Sequence, residues 1–307
     1  MDSLHKYKSK GKLLFTGEYT VLDGALALAV PTQLGQSLTV YPTEEKKNII
    51  SWLAYKYNGE LWSKTILDIS QQKIIETNDI KIAKTLLNIF IQAKKLDSII
   101  INQPNFGYEC ETHLEFPQKW GLGSSSTLIN NIAKWLKISP YLLLEKTFGG
   151  SGYDLACAEA HSPITYQLQN KKPIVKEVFL PSQITDNLLF IYLNKKQDSR
   201  EGINHYKNKQ KSEELIEKVS YITQKIIEPN CSFKQFSELI QEHEDLISKH
   251  IQIPTIKKKL FSDYSGFIKS LGAWGGDFIM AEKIYGAENY FKNKGHKILK
   301  TYDEFLL

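Results

Sequence analysis

The segment that decides the fold is Pro117-Gln-Lys-Trp-Gly-Leu-Gly-Ser-Ser-Ser-Thr127, which continues as Leu128-Ile-Asn-Asn-Ile-Ala-Lys-Trp135. Gly121 and Gly123 carry no side chain, so another group can approach the backbone closely at both positions. Beyond Thr127 the apolar residues recur at the spacing of one helix face, which predicts a helix that starts in the serine run. Such a turn aims several backbone N–H groups and the positive end of a helix dipole at one point, and this arrangement binds phosphate.

Two interpretations of this loop are open on these residues alone. The G-x-x-x-x-G-K-[ST] pattern of a Walker A loop does not occur in the sequence, so a phosphate site here would belong to another class. A serine-capped helix after a glycine-rich loop would show the same sequence pattern without binding a ligand. The choice between them depends on the remaining motifs.

The composition is that of a globular protein and argues against a nucleic-acid partner. The chain has 307 residues, 42% of them apolar and 24% charged, which allows one large domain or two ordinary ones. The net charge of +5 comes from dispersed lysines, with Arg200 as the single arginine. Nucleic-acid binding proteins usually cluster their basic residues and favour arginine, so we expect no such partner.

The cysteines and the apolar runs point to the cytoplasm. Cys110, Cys157 and Cys231 are far apart and odd in number, which favours reduced, buried side chains over disulfides or a zinc site. Residues 1–10 have no apolar signal-peptide core, and no run reaches the roughly 18 apolar residues of a membrane span. We therefore expect a cytoplasmic protein with no membrane partner.

The order of predicted elements indicates an α+β fold with two domains. Hairpin-paired strands mixed with helices favour this class over a doubly wound parallel sheet. Pro181 marks the expected joint, which gives domains of residues 1–182 and 183–307. Predicted strands lie at 8–42, 49–53, 108–115, 164–168, 174–180 and 188–193, and predicted helices at 77–96, after Thr127, at 139–147, after Ser199 and at 232–250.

Three further segments carry motifs. Gly149-Gly-Ser-Gly-Tyr-Asp-Leu-Ala-Cys-Ala-Glu-Ala160 is a second glycine turn that enters a helix, with Asp154 near the first turn. Leu271-Gly-Ala-Trp-Gly-Gly-Asp-Phe-Ile-Met-Ala281 is a third glycine turn between two apolar runs, and Gly11-Lys-Leu-Leu-Phe-Thr-Gly-Glu-Tyr-Thr-Val-Leu-Asp-Gly24 opens the chain. In this order, the four segments resemble the signatures of the GHMP kinases, the superfamily of galactokinase, homoserine kinase, mevalonate kinase and phosphomevalonate kinase.

The resemblance spans the whole chain and implies a fold and an activity. The expected fold is an α+β N-terminal ATP-binding domain followed by a C-terminal ferredoxin-like α/β-plait domain. The expected activity is ATP- and Mg²⁺-dependent phosphorylation of phosphomevalonate or mevalonate. Gly17-Glu-Tyr19, Gly150-Ser-Gly-Tyr-Asp154 and Gly275-Gly-Asp277 are similar to phosphomevalonate kinases. Trp274 departs from the pattern, since glycine is usual there, and Lys10 stands in the place of the customary proline.

Two other functions compete with the kinase interpretation. A diphosphomevalonate decarboxylase would share the ATP loop, but it needs an arginine near the catalytic aspartate, and Arg200 is far from Asp154 in sequence. A non-catalytic metabolite-binding protein on the same fold is the second alternative. Trp274 keeps it open, because an indole would crowd a pocket lined by backbone.

The resemblance also implies which residues hold the nucleotide and the metal. The residues expected to hold the ATP phosphates are Gly121, Leu122, Gly123, Ser124, Ser125 and Ser126. Ser125, with Ser124 as the alternate, would bind Mg²⁺ through its hydroxyl group, and Glu145 would supply a second oxygen. Glu145 could equally be a solvent-facing helix residue.

Asp154 and Lys12 are the expected catalytic residues. Asp154 would accept or orient the substrate proton, and Lys12 would neutralise charge. The alternatives are a helix cap for Asp154 and a surface lysine beside a strand for Lys12. The residues expected to contact substrate are Tyr19, Ser151, Ser199, Gly275 and Gly276. His243 and His250 show no metal spacing, and we expect them to be solvated; a homodimer stays open.

Overall fold

The structure is a computed structural model that describes residues 5–44, 47–103, 107–195, 199–272, 274 and 276–307, with the backbone alone for residues 199–201. The strands are β1 (His5–Thr16), β2 (Ala27–Pro42), β3 (Ile49–Tyr55), β4 (Leu61–Asp68), β5 (Lys73–Thr77), β6 (Gly107–Leu114), β7 (Ile164–Gln169), β8 (Lys172–Glu177), β9 (Leu188–Tyr192), β10 (Ile268–Leu271), β11 (Phe278–Glu282) and β12 (Leu299–Thr301). The helices are α1 (Ile80–Lys95), α2 (Ile99–Asn102), α3 (Ser124–Leu136), α4 (Pro140–Thr147), α5 (Tyr153–Glu159), α6 (Ser182–Thr185), α7 (Ser199–Lys207), α8 (Glu213–Ile226), α9 (Phe233–Ile251), α10 (Ile256–Leu260), α11 (Ala287–Asn293) and α12 (Tyr302–Phe305).

Residue contacts divide the chain into two compact units. The first unit comprises Met1–Gly11, Leu34–Gln118 and Gly123–Glu159, and the second comprises Lys12–Gln33, Lys119–Leu122 and Ala160–Leu307. The domain boundary expected near residue 182 stays a prediction.

The first unit is a sheet covered by helices. Its strands follow the order β5-β4-β3-β6-β2, with β3 and β6 parallel and the C-terminal half of β2 antiparallel to β6. Helix α1 presents an apolar face to the sheet and starts at Asp79, whose carboxylate accepts from the N–H groups of Lys81 and Ile82. Trp52, Phe90 and Trp135 meet edge to face in the core beneath α1 and α3.

The second unit contains the ferredoxin-like arrangement. Its four-stranded antiparallel sheet has the order β10-β11-β9-β12, with α7 to α10 between β9 and β10 and α11 between β11 and β12. This βαββαβ order is the one expected for the C-terminal domain, and the α+β class is confirmed. The N-terminal residues of β2 pair with β7, which pairs with β8, in the same unit.

Several local predictions are confirmed. Helix α3 begins in the serine run, α4 begins after Ser139 as its N-cap, and the third glycine turn separates β10 from β11. The three cysteines are free and buried. Among the described residues, the helices are all too short or too polar to cross a membrane.

Candidate active site

The glycine loop leads directly into the first turn of α3. Gly121 and Gly123 have φ values of 69° and 89°, in the left-handed region that favours glycine. Gly123 is the N-cap, no side chain caps the helix, and the first helical bond joins the Thr127 N–H to the Gly123 carbonyl at 3.0 Å. The amides of Ser124–Ser126 therefore have no acceptor within the helix. Their number and direction fit the phosphate groups of a nucleotide.

The three serines of the loop have different surroundings. Ser126 is buried, and its hydroxyl group donates to the Asp154 carboxylate. Ser125 is exposed and Ser124 is half-buried. An exposed hydroxyl group beside the loop amides fits a Mg²⁺ ligand, so the assignment of Ser125 stays a prediction with a suitable geometry.

Asp154 is positioned by the second glycine turn. It is the second residue of α5 and is half-buried, and Ser151 precedes the helix in a similar half-buried position. One carboxylate oxygen accepts from Ser126 and the other accepts from the Leu155 N–H at 3.1 Å. A residue inside the helix is not its N-cap, so the interpretation of Asp154 as a helix cap is disfavoured. Burial, followed by the charge of Asp154, raises the pKa of Tyr141 to about 12.

A polar seam fixes α3 and α5 to each other, and sequence reasoning missed it. The Asn130 amide donates to Glu159 of α5 and, at 2.9 Å, to the Ser9 hydroxyl. Lys134, one turn further along α3, forms an ion pair with Glu159 at 2.7 Å. The contacts to Glu159 join α3 to α5, the helices that carry Ser126 and Asp154. In the sequence, Asn130 and Asn131 interrupt the apolar residues of this helix, and that was the available signal. The structure shows that both side chains are buried.

Lys12, in the C-terminal part of β1, contacts the residues of the glycine loop that belong to the same unit. Its ammonium group donates to the Gly121 carbonyl at 3.0 Å, and its backbone N–H donates to the Leu122 carbonyl at 3.1 Å. The side chain is buried, so the interpretation of Lys12 as a surface lysine is wrong. The Lys12 ammonium group is therefore held at the Gly121 carbonyl.

Asp277, in the third glycine turn, touches the same loop. A Cβ atom added to Gly121 would overlap the Asp277 carboxylate, so only glycine fits there. The Asp277 N–H donates to the Lys195 carbonyl at 2.7 Å, and its carbonyl accepts from the Leu193 N–H at 2.9 Å. Burial, followed by the charge of Asp277, raises the pKa of Tyr192, whose hydroxyl group donates to the Lys119 carbonyl at 3.1 Å. Neither Asp277 nor Tyr192 was among the predicted site residues.

Trp274 and Tyr19 lie in an apolar cluster of the second unit. The Trp274 indole is 7% exposed, packs with Ile247 and Ile251 among others, and donates from Nε1 to the Pro254 carbonyl at 3.2 Å. The Trp274 backbone N–H donates to the Tyr19 hydroxyl group at 3.1 Å. The indole thus serves the core of the second unit. The substrate contact expected of Tyr19 stays a prediction.

The remaining predicted residues are less constrained. Glu145 is exposed on α4, and its role as a metal ligand stays a prediction. Gly276 is buried ahead of Asp277, whereas Gly275 and the side chain of Ser199 lie outside the described residues. Across the part of the chain that the structure describes, no cluster of three or more His, Cys, Asp or Glu residues could hold a metal ion.

The expectation that His243 is solvated is wrong. His243 is 0% exposed, and its Nε2 atom accepts from the Gly17 N–H at 2.9 Å. Burial, followed by the charge of Lys269, holds the pKa of His243 well below its ordinary value. The ring is therefore a neutral structural acceptor. Helical spacing did not reveal this, because the partner lies 226 positions away in the sequence.

Comparison with solved structures identifies the fold of the chain. No protein-family model matches the sequence, and no curated protein matches it. Among the solved structures, the chain is similar to the mevalonate kinase of Methanococcus jannaschii, with 16% identity, a TM-score of 0.66, and coverage of 95% of this chain and 94% of that chain.

Two other similar structures have different substrates in their names. The phosphomevalonate kinase of Streptococcus pneumoniae, in complex with phosphomevalonate and AMPPNP, is 17% identical with a TM-score of 0.67, over 97% of this chain and 99% of that chain. The galactokinase of Lactococcus lactis, complexed with galactose, is 12% identical with a TM-score of 0.66, over 98% and 93% of the respective chains. The chain therefore has the GHMP kinase fold.

Proposed function

We propose that this chain is an ATP- and Mg²⁺-dependent small-molecule kinase of the GHMP type that phosphorylates phosphomevalonate or mevalonate. The observation that carries the proposal is the contact between Ser126, in the first turn of α3, and Asp154, in the first turn of α5. Through this contact the Asp154 carboxylate, the candidate proton acceptor, lies beside the first turn of α3, whose amides are the proposed phosphate ligands. The motifs of residues 17–19, 150–154 and 275–277 favour phosphomevalonate as the acceptor.

Each residue has a separate part in the proposed reaction. ATP supplies the phosphoryl group, and Mg²⁺ neutralises part of its charge. The amides of Ser124–Ser126 would bind phosphate oxygens, and the Ser125 hydroxyl group, with Glu145 as a further candidate, would hold the metal. Asp154, oriented by Ser126, accepts the proton of the acceptor oxygen. Lys12, held on the Gly121 carbonyl, neutralises negative charge.

The surroundings of the reaction are also part of the proposal. Three free, buried cysteines are consistent with a reducing compartment, and we propose a cytoplasmic location. A small-molecule acceptor is the partner, and a homodimer is left open.

A screen of ATP consumption tests the proposal directly. The wild-type protein is incubated with MgATP and, separately, mevalonate, phosphomevalonate, homoserine or galactose. We expect turnover with one of the two mevalonate compounds, and a loss of about 10²- to 10⁴-fold in Asp154→Asn with ATP binding retained. Asp263→Asn, which changes an exposed carboxylate of the second unit, is the matched control and keeps full activity.

The outcomes separate the parts of the proposal. If no acceptor causes ATP consumption, the kinase assignment fails. If a folded Asp154→Asn protein turns over at the wild-type rate, Asp154 is removed from the mechanism. Turnover with galactose or homoserine alone would keep the kinase class and overturn the acceptor.

A further inference from the structure

A buried cluster of charges lies behind the Gly17-Glu18-Tyr19 turn in the second unit. The Lys269 ammonium group is 2.6 Å from one oxygen of Glu18 and 3.5 Å from Glu244. Glu244 also accepts from the backbone N–H and the hydroxyl group of Ser270 at 3.2 and 2.9 Å. The side chains of Glu18, Glu244 and Lys269 are between 0 and 3% exposed. None of them can therefore meet a ligand from solvent.

Stability alone does not explain such a cluster. The desolvation of buried ions offsets most of their attraction, and apolar residues of similar size often stabilise a core as well or better. A buried ionic group with fixed geometry can instead specify the position of the backbone that carries it. The cluster fixes two segments in this way, since Glu18 is in the first motif and Lys269 is in β10, which leads into the third glycine turn.

Tyr19 has a backbone conformation that needs such support. Its φ and ψ angles are 61° and −46°, and the Thr20 N–H donates to the Glu18 carbonyl at 2.7 Å across it. This is a three-residue γ-turn of the rare, strained kind, and a bulky aromatic residue disfavours a positive φ further. Strain of this kind persists only where surrounding contacts determine it. Gly17 supplies one such contact through its N–H bond to His243.

The strained turn directs the Tyr19 side chain at the third glycine turn. The ring stacks on Tyr206 with 5.7 Å between centroids, and the hydroxyl oxygen accepts from the Trp274 N–H at 3.1 Å. Tyr19 therefore contacts the turn between β10 and β11. Lys269 lies in β10, the strand that leads into this turn. The same turn ends at Asp277, whose carboxylate packs against Gly121 of the glycine loop.

We propose that Glu18, Tyr19 and Lys269 are positioning residues that brace the third glycine turn, and through Asp277 set the place of Gly121. Tyr19 then acts through the Trp274 backbone and does not itself contact the acceptor. This brace rests on the proposed function for its effect on turnover, but its effect on the turn can be measured without any activity.

The test compares two buried tyrosines of one cluster by hydrogen–deuterium exchange. Tyr19→Phe keeps the stacked ring and removes the acceptor for the Trp274 amide. Tyr206→Phe, the matched control, keeps the same stack and removes a hydroxyl group that donates to Asp23 at 2.7 Å. We expect exchange in peptides spanning 268–282 to rise about five- to tenfold in Tyr19→Phe, the effect of one buried hydrogen bond. Tyr206→Phe leaves these peptides at the wild-type rate.

Kinetics provide the second measurement, with the acceptor found in the ATP-consumption screen. Loss of the positioning of Gly121 raises the KM for ATP about five- to tenfold in Tyr19→Phe, with kcat per folded molecule within about twofold. A merely structural loss would lower the folded fraction and leave KM unchanged. Lys269→Arg, which keeps the charge, is expected to retain more of the protection of this turn than Lys269→Met.

Each result decides the inference. Unchanged exchange over 268–282 in Tyr19→Phe, or an equal rise in Tyr206→Phe, overturns the brace. Raised exchange with an unchanged KM overturns its role in the reaction. A wild-type protein that consumes no ATP overturns the proposed function, and the exchange measurement still decides whether the brace exists.

Discussion

In the first unit Ser126 and Asp154 meet at a half-buried position, whereas in the second unit Glu18 and Lys269 meet with almost no exposure to solvent. The first contact joins two glycine motifs, and the second joins the first motif to the strand that leads into the third glycine turn. A half-buried carboxylate can still face a ligand, and its hydrogen bond sets its direction. A fully buried ion pair can act on a ligand only through the backbone it holds.

The comparison also separates two kinds of ion pair. Lys134 and Glu159 of the first unit form an exposed pair, with 40% and 47% of their side chains accessible. Exposed pairs contribute little to stability because solvent screens them. Loss of one partner from a buried pair leaves an uncompensated charge in the core, which is far more costly. The two pairs should therefore respond very differently to the same substitution.

The largest expected effect is that of Lys269→Met. It leaves the carboxylates of Glu18 and Glu244 without their cation, and we expect it to lower the free energy of unfolding by about 3–5 kcal/mol. Lys134→Met, the matched control, removes an exposed lysine and should cost at most about 1 kcal/mol. Urea unfolding followed by circular dichroism measures both. Equal losses would show that burial does not distinguish the two pairs.

The contrast between the pairs marks the limit of what the sequence could predict. Local chemistry fixes a glycine turn and the helix after it, so the start of α3 at Ser124 and the turn between β10 and β11 were predictable. The contact between Glu18 and Lys269 spans 251 positions. Neither residue type indicates burial, since Glu and Lys are ordinarily exposed.

The candidate site shows the same division. The motifs identified the loop and Asp154, but they did not distinguish Ser126, which contacts Asp154, from the exposed Ser125. That distinction depends on the contacts between α3 and α5, among them the hydrogen bond from Asn130 to Glu159. Pairing of side chains across two helices is tertiary information that motif spacing does not contain.

An intermediate effect is expected from the pH dependence of Glu18→Gln. Burial raises the pKa of Glu18 to about 7 from an ordinary value of 4.5. Between these values the native state holds a proton that the unfolded state releases, so this group lowers the free energy of unfolding as pH rises. The raised pKa of Glu244 acts in the same direction, and the lowered pKa of His243 acts in the opposite one. The Lys269 ammonium group pairs with both glutamates, and the second oxygen of Glu18 lies 3.4 Å from Nε2 of His243.

Glu18→Gln removes only the first contribution. Relative to the wild type, the variant should gain stability as pH rises from 4.5 to 7, by about 3 kcal/mol at most. Urea unfolding at pH 5, 6, 7 and 8 gives the two curves. Glu60→Gln is the control, because the pKa of that exposed carboxyl is held low by its hydrogen bond from Lys56 and it titrates below this window. Parallel curves for Glu18→Gln and the wild type would mean that Glu18 is ionised throughout.

The smallest expected effect concerns the half-buried contact of the first unit. Ser126→Ala removes the donor that orients the Asp154 carboxylate, and one such hydrogen bond corresponds to a fall in kcat of about tenfold. The Mg²⁺ concentration for half-maximal rate should not change, because Ser126 is turned toward α5. Ser125→Ala, next to it on the exposed side of the loop, should raise that Mg²⁺ concentration instead. If Ser126→Ala shifts the Mg²⁺ requirement and Ser125→Ala does not, the roles of the two hydroxyl groups are reversed. The contact between Ser126 and Asp154 would then describe the protein without its nucleotide.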